Sequence, residues 1–258
     1  MIADERATVR RILRSTLALH MCCDETDFDR SDTVIVPFRE SKGGLRFPVT
    51  RPLLRITSLG CGAIVCCSED KMEWVHSRFA PKNRDEIFSI GFLADVSSFI
   101  ESRHQFLAGP VIKYACSIDT FRPIVANPPV EICLYHRDRM AEVYELGGFR
   151  YALSYNLDHD RPDMLATVAF KNDEVVGIAG ASADSDNMWQ IGVGVADGYH
   201  RCGIGKALVN ALAKAVIEAG KIPYYSTFPA NIASNALAQS LGFWHAWTEI
   251  YVRDKKQP

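Results

Sequence analysis

The stretch from Trp189 to Ala219 constrains the fold more than any other part of this 258-residue chain. Trp189 to Val195 is apolar and reads as a strand. It passes through Val195-Ala196-Asp197-Gly198-Tyr199-His200-Arg201-Cys202-Gly203-Ile204-Gly205-Lys206 into a helix, in which Ile204, Leu208, Leu212 and Val216 recur on one face. Gly220 then stops the helix. A strand that turns through glycines directly into an amphipathic helix needs a sheet beside it and a layer for the helix to cover. The class implied is mixed α/β.

The neighbouring segments agree. Leu165 to Phe170 and Val175 to Ala181 read as strands joined by the hairpin turn Lys171-Asn172-Asp173-Glu174. Ile222 to Phe228 is a strand, Asn231 to Ser240 a helix, and Trp244 to Val252 a closing strand. Ile132 to Tyr135 fits a short strand or the first turn of a helix, and Arg139 to Leu146 fits a helix stopped by Gly147-Gly148. Earlier in the chain, Arg6 to Leu19, Met72 to Phe79 and Glu86 to Leu107 read as helices. Leu53 to Cys67 reads as one or two short strands, and Thr26 to Pro52 shows no regular pattern. Pro123, Pro128 and Pro129 mark a boundary. The expectation is an N-terminal α/β subdomain over 1–125 and a second domain over 130–258.

Composition excludes several classes. With 48% hydrophobic and 23% charged residues the chain is globular, and a net charge of −2 gives no bulk attraction for nucleic acid or anionic membrane. No apolar run nears the roughly 18 residues that a membrane span needs. Asp4, Glu5, Arg6, Arg10, Arg11 and Arg14 stand where a secretory leader would be apolar, so a cytoplasmic protein is expected. The 8 cysteines include the adjacent pairs Cys22-Cys23 and Cys66-Cys67 and no C-x-x-C pair. They read as reduced, mostly buried thiols, with no metal site.

The turn before the long helix carries chemistry. Gly203 and Gly205 permit close approach of a ligand to the backbone. The first N–H groups of the helix lack internal partners, and the helix dipole makes that end a phosphate site. Arg201 and Lys206 add charge or point into water. The spacing is neither that of a Walker loop nor that of a dinucleotide-binding fingerprint. Taken alone, the glycine pair is also consistent with a plain strand-to-helix turn.

His200-Arg201-Cys202-Gly203-Ile204-Gly205 after Val195 resembles the pyrophosphate-binding motif of the GNAT N-acetyltransferase superfamily, with His200 in place of the usual Gln or Arg. Asn231, Ser234, Leu237, Gly242 and Phe243 resemble that family's last motif. Met188 to Val193 and Tyr224-Tyr225-Ser226 are similar to a group of two-part GNAT proteins. The resemblance covers Glu131 to Val252 and implies the family's mixed sheet with flanking helices. It also implies acetyl-CoA as co-substrate. The strand of Val193 and Val195 would splay from that of Tyr225 to Thr227 and pair with the pantetheine arm, which Asn231 would also contact. His200, Arg201, Cys202, Gly203, Ile204, Gly205 and Lys206 would hold the pyrophosphate. An amine of a small molecule or amino-acid-like metabolite would attack the thioester directly, with an N–H near Val193 stabilising the oxyanion.

Acid and base are less well marked. The family's usual tyrosine acid is Ala238 here. Ser234 shares a helix face with Ala238 and is one candidate; a small residue packed under the helix is the other reading. Tyr225 is a second candidate acid. Gln190 could orient a water, while Asp184 and Asp186 read as solvated loop carboxylates. His136 and His245 read as structural. Arg78, Arg84, Arg103 and His104 fit either an acceptor pocket or a solvated helix face. Ala238 also leaves room for a non-catalytic acyl-CoA-binding or regulatory protein, and a protein N-acetyltransferase is a further alternative.

Overall fold

The computed structural model describes residues 4–46, 53–101, 105–124 and 129–255. In chain order, the first half comprises α1 (Glu5–Met21), β1 (Thr33–Pro37), β2 (Leu54–Ser58), β3 (Ala63–Cys67), α2 (Met72–Phe79), α3 (Arg84–Ile87), α4 (Ile90–Glu101) and β4 (Gln105–Ala115). The second half comprises β5 (Glu131–His136), α5 (Met140–Glu145), β6 (Asp163–Lys171), β7 (Glu174–Ala183), β8 (Met188–Val195), α6 (Ile204–Glu218), β9 (Ile222–Thr227), α7 (Ile232–Ser240) and β10 (Trp244–Asp254). This is the mixed α/β architecture that the pattern implied. Two compact units emerge. One is Met1–Arg10, Tyr114–Ser226 and Asn231–Trp244; the other is Arg11–Lys113, Thr227–Ala230 and His245–Pro258.

In the first unit the strands run in the order β9-β8-β7-β6-β5. β5 to β8 are antiparallel neighbours, while β8 and β9 are parallel. Asn172 (φ 51°) and Asp173 (φ 65°) close the β6–β7 hairpin in the left-handed region, as a two-residue turn demands. The sheet is covered on both faces, and strand alternation decides which residue meets which cover. On one face α6 buries Leu208, Leu212 and Val216 completely. Each contributes roughly 1.5–3 kcal/mol of transfer free energy. Thr167 on this face donates its hydroxyl to the Leu208 carbonyl at 3.1 Å. On the other face Ala166, Val168 and Ile178 pack with Met140 and Val143 of α5 and with Ala152 and Leu153.

That second face carries a trough. Gly180 and Gly192 are register partners, and Gly194 follows two residues on. A Cβ at Gly180 would collide with the Ala152 carbonyl, and one at Gly192 with the Tyr151 carbonyl. At Gly194 it would meet the Phe149 ring at 3.1 Å. The segment from Phe149 to Leu153 therefore lies on bare backbone.

In the second unit the order is β1-β3-β2-β10-β4. Leu54, Ile56, Val65 and Ile250 meet Val75 and Phe79 of α2 and Ile100 of α4. Trp74 stacks on Phe99 with centroids 3.7 Å apart. The alternate residues of β2 face the other way, where Thr57 donates to the Met21 sulfur at 3.3 Å and Arg55 donates to the His20 carbonyl at 3.1 Å. Lys113 and Glu249 form a buried ion pair at 3.4 Å.

Three readings need correction. Gln105 to Leu107, read as the end of a helix, belong to β4; α4 ends at Glu101. A short apolar run ahead of Gly109-Pro110 fits either element until its pairing is known. Thr33–Pro37, within a stretch read as irregular, is a strand that pairs in parallel with β3, and its terminal proline suits an edge. The thiols are unbridged, yet only Cys66, Cys67 and Cys116 are buried, with Cys61 and Cys202 exposed. In the Pro-rich stretch, residues 125–128 lie outside the described residues. Just before it, the Arg122 N–H donates to the Leu241 carbonyl (2.9 Å) and the Ile124 N–H to the Asn210 side chain (3.1 Å). No described helix is long and apolar enough to cross a membrane.

The two faces generate two tests. Gly192→Ala should cost about 1–3 kcal/mol of stability through overpacking. Gly194→Ala should cost less, because a phenyl ring can move and a carbonyl cannot. Equal urea midpoints for the two variants would contradict the trough. His20 is buried and held well below its ordinary value near 6.5, first by burial and then by the charges of Arg55 and Lys113. The unfolded chain thus binds a proton below that pH which the folded chain refuses. His20 stabilisation is complete above about pH 6.5 and declines as pH falls, by at most about 1.4 kcal/mol per pH unit. His20→Gln should flatten that part of the stability–pH curve measured by denaturant titration. Parallel curves for the two proteins would refute the assignment.

Candidate active site

The pairing of β8 with β9 runs from Met188↔Ile222 through Trp189↔Pro223 and Gln190↔Tyr224 to Ile191↔Tyr225, and goes no further. On its other edge β8 stays paired with β7 as far as Val195. Val193 and Val195 therefore keep one partner and lose the other. Between the diverging strands and the start of α6 lies a cleft of about 400 Å³. That is within the range of small-molecule sites, roughly 300–1,000 Å³.

The turn into α6 explains one wall. Arg201 (φ 64°) and Gly203 (φ 80°) are both left-handed, on either side of Cys202. Such alternation brings successive N–H groups to one side, as in anion-binding concavities. Gly203 is the helix N-cap, with open space where a Cβ would stand. The first intrahelical bond is Ala207 N–H to Gly203 O at 3.0 Å. Ile204, Gly205 and Lys206 consequently present N–H groups without intrahelical partners at the positive end of the helix dipole.

Most of the residues singled out from the sequence meet here. Val193 and Val195 line the cleft from β8; His200, Arg201, Gly203, Ile204, Gly205 and Lys206 line it from the turn; Tyr225, Asn231 and Ser234 complete it. Cys202 does not line it: it is exposed, and its thiol reaches the His200 carbonyl at 3.5 Å. His200 pairs with Asp197 at 3.4 Å in an exposed position.

α7 supplies the floor. Asn231 caps it by accepting the Ser234 N–H at 3.1 Å. The Tyr225 hydroxyl donates to Ser234 Oγ at 3.3 Å. Burial pushes the Tyr225 phenol above its usual value, against the opposing effect of the Ser234 bond, so it holds its proton at neutral pH. Ala238 is completely buried. Sequence reasoning missed Tyr114, whose hydroxyl donates to Asn235 (2.9 Å) and accepts from Gln239 (3.2 Å), bracing α7. Its stretch of sequence carries no motif that would single it out.

Gln190 stands elsewhere, on the face of β8 that carries Gly192. It accepts from the Tyr224 hydroxyl at 2.9 Å and from Arg161 at 3.4 Å. The single proton of that hydroxyl is shared between Gln190 and Asp184, both within hydrogen-bond range. Asp184, read as a solvated carboxylate, is only 3% exposed and forms an ion pair with Arg161 at 2.6 Å. The partners are 23 residues apart, so spacing could not have joined them. Asp186 is exposed. His136 is exposed, and His245 bonds Thr248 at 2.8 Å. Arg78 and Arg84 belong to the other unit, and Arg84 is occupied by Asp85 and the Gly60 carbonyl. Arg103 and His104 lie outside the described residues.

Comparison with known proteins adds the family. A GCN5-related N-acetyltransferase from Kribbella flavida is similar in structure, with a TM-score of 0.47 and 13% identity over 63% of this chain and 64% of its own. A putative GNAT-family acetyltransferase from Novosphingobium aromaticivorans has a TM-score of 0.42 and 15% identity, covering 58% of this chain and 66% of its own. A GCN5-related N-acetyltransferase-like protein from Streptococcus suis has a TM-score of 0.43 and 15% identity, covering 63% and 68%. The match to this chain thus spans about two thirds of each of these proteins. No curated protein matches it in sequence. Residues 131–243 match the Acetyltransferase (GNAT) family, and every residue that lines the cleft falls within them.

Proposed function

We propose that this domain binds acetyl-CoA in the cleft between β8 and β9 and transfers the acetyl group to the amine of a small molecule. The observation that carries this reading is the end of β8–β9 pairing beside the unpartnered amides that open α6. The pantetheine arm would add to the bare edge of β8 at Val193 and Val195 as a further strand, with Asn231 alongside. The diphosphate would sit on the amides from Arg201 to Lys206, with Cys202 contributing backbone only. The neutral amine attacks the thioester carbonyl carbon and a C–N bond forms; the extra proton on the new nitrogen passes to solvent water, and the C–S bond breaks to leave the amide and the CoA thiolate. The leaving thiolate is protonated from Ser234, which is resupplied by the Tyr225 hydroxyl at 3.3 Å. Gln190 points to the other face of β8 and does not line the cleft, so that proton is not assigned to it. In this reading it instead fixes groups on the opposite face.

Ala238 supports a second reading, an acyl-CoA-binding protein without turnover, since no phenol stands at the family's usual acid position. Thiol release from acetyl-CoA across an amine panel separates the two.

Two outcomes are expected. Gly203→Asp should abolish acetyl-CoA binding in calorimetry while the circular dichroism spectrum is retained. Its Cβ meets no atom within 4 Å, the left-handed φ of 80° costs an aspartate roughly 1–2 kcal/mol, and its carboxylate would occupy the anion site. Normal affinity would remove the turn from the site. Tyr225→Phe and Ser234→Ala should each lower kcat by roughly 10²-fold, the usual scale of general acid catalysis, with CoA affinity retained. Unchanged kcat in both would remove the relay.

A further inference from the structure

A second cavity, of about 200 Å³, lies on the face of β8 that carries Gln190 and Gly192, opposite the cleft. It is smaller than the usual drug-sized site, and two side chains in its wall have polar atoms left over. Asp163 is 1% exposed. Its Oδ2 accepts from the Tyr144 hydroxyl (2.7 Å), the Ser154 N–H (2.8 Å) and the Ser154 hydroxyl (2.6 Å). Among the described residues, no donor reaches Oδ1. Arg161 places Nε on Asp184 at 2.6 Å and Nη2 near Ser182 (3.3 Å) and Gln190 (3.4 Å). Its Nη1 has no acceptor among the described residues. A buried carboxylate is ordinarily saturated with partners, whereas the Arg161 side chain is 21% exposed. Here each is locked in place through one side and leaves an acceptor and a donor in the wall of one small cavity.

We infer that this cavity binds an amino-acid-sized zwitterion, its carboxylate on Arg161 Nη1 and its amino group on Asp163 Oδ1. The binding claim stands on this geometry alone; that the ligand is the acyl acceptor rests on the proposed transferase activity. Gln190 then acts as a positioning residue: with Asp184 and Tyr224 it holds the guanidinium plane. The fixed plane removes much of the ordering cost of binding.

The test is calorimetric titration of the whole protein with glycine, L-alanine and L-lysine, beside methylamine and propionate as one-ended fragments, with and without CoA. At least one amino acid should bind, about tenfold or more tighter than either fragment, the scale of a lost charge-assisted hydrogen bond. Asp163→Asn is informative because the three donors at the Oδ2 position require the amide oxygen there. The amide NH₂ then replaces Oδ1 and turns an acceptor into a donor. It should weaken amino-acid binding by a similar factor while melting temperature and CoA affinity stay unchanged. Arg161→Lys should weaken carboxylate-bearing ligands only. The inference is overturned if no amino acid binds, if the fragments bind as well as the zwitterion, or if Asp163→Asn retains full affinity. Should Asp163→Asn fail to fold, the fragment series and Arg161→Lys decide alone. Failure of CoA to bind would count against the transferase reading and leave this result standing.

Discussion

The site depends on a backbone account that does not close. Each strand residue carries an N–H and a C=O that must find partners, and β8 finds them on both edges only as far as Ile191. Beyond that point β7 still holds it through Gly177↔Val195. The result is a strand that is rigid yet unfinished along one edge. An extended ligand with amide groups can complete that edge at little ordering cost, since the strand itself need not move. The same unfinished accounting appears at the start of α6, where three helical amides precede the first intrahelical bond. Two kinds of bare peptide group, one from a sheet and one from a helix, meet in a single cleft.

Alternation along β8 gives each face a different task. Ile191, Val193 and Val195 face the α6 side, where Gly205 approaches Val195 closely enough that a Cβ would touch it at 3.4 Å. Gln190, Gly192 and Gly194 face the segment from Phe149 to Leu153. Side chains are absent at two of those three positions, so a loop can lie flat on the strand and its continuation can wall a polar cavity. A one-residue slip in register would exchange the faces, placing glycines in the cleft and valines under the loop. The hairpin turn at Asn172-Asp173 fixes β6 and β7 and, through β7, the register that β8 must adopt.

Much of this was legible in the residues themselves. The helix from Ile204, its stop at Gly220, the hairpin and the strands on either side of them follow from periodicity and turn chemistry, which are local. The cleft was readable because its walls come from two consecutive motifs. What escaped is non-local. β4 and β1 are strands only by virtue of their neighbours. The Arg161–Asp184 pair joins two loops, and Asp163 acquires its meaning from Tyr144 and Ser154. β10, expected to close the C-terminal domain, pairs with β2, from the first third of the chain. The boundary expected between 125 and 130 is a feature of sequence order, whereas compactness follows strand pairing, which gathers Tyr114–Ser226 with Met1–Arg10.

The missing phenol at Ala238 has a physical counterpart nearby. Ala238 is wholly buried, so a bulky residue there would need space that the packing does not offer. Tyr225 brings its hydroxyl to the same helix from β9, and reaches Ser234 rather than solvent. Its register partner is Ile191, the last residue of β8 that pairs with β9, so the phenol stands where the two strands begin to part. Tyr224, one residue away, points to the opposite face and is committed to Asp184 and Gln190. Adjacent tyrosines on one strand thus serve its two faces. Burial that raises the Tyr225 phenol keeps it protonated across the physiological range, which suits an acid and excludes a base. A proton held on a strand can be passed to a hydroxyl on the first turn of α7 without any motion of the helix. In the proposed reaction that path would stand in for a tyrosine on α7.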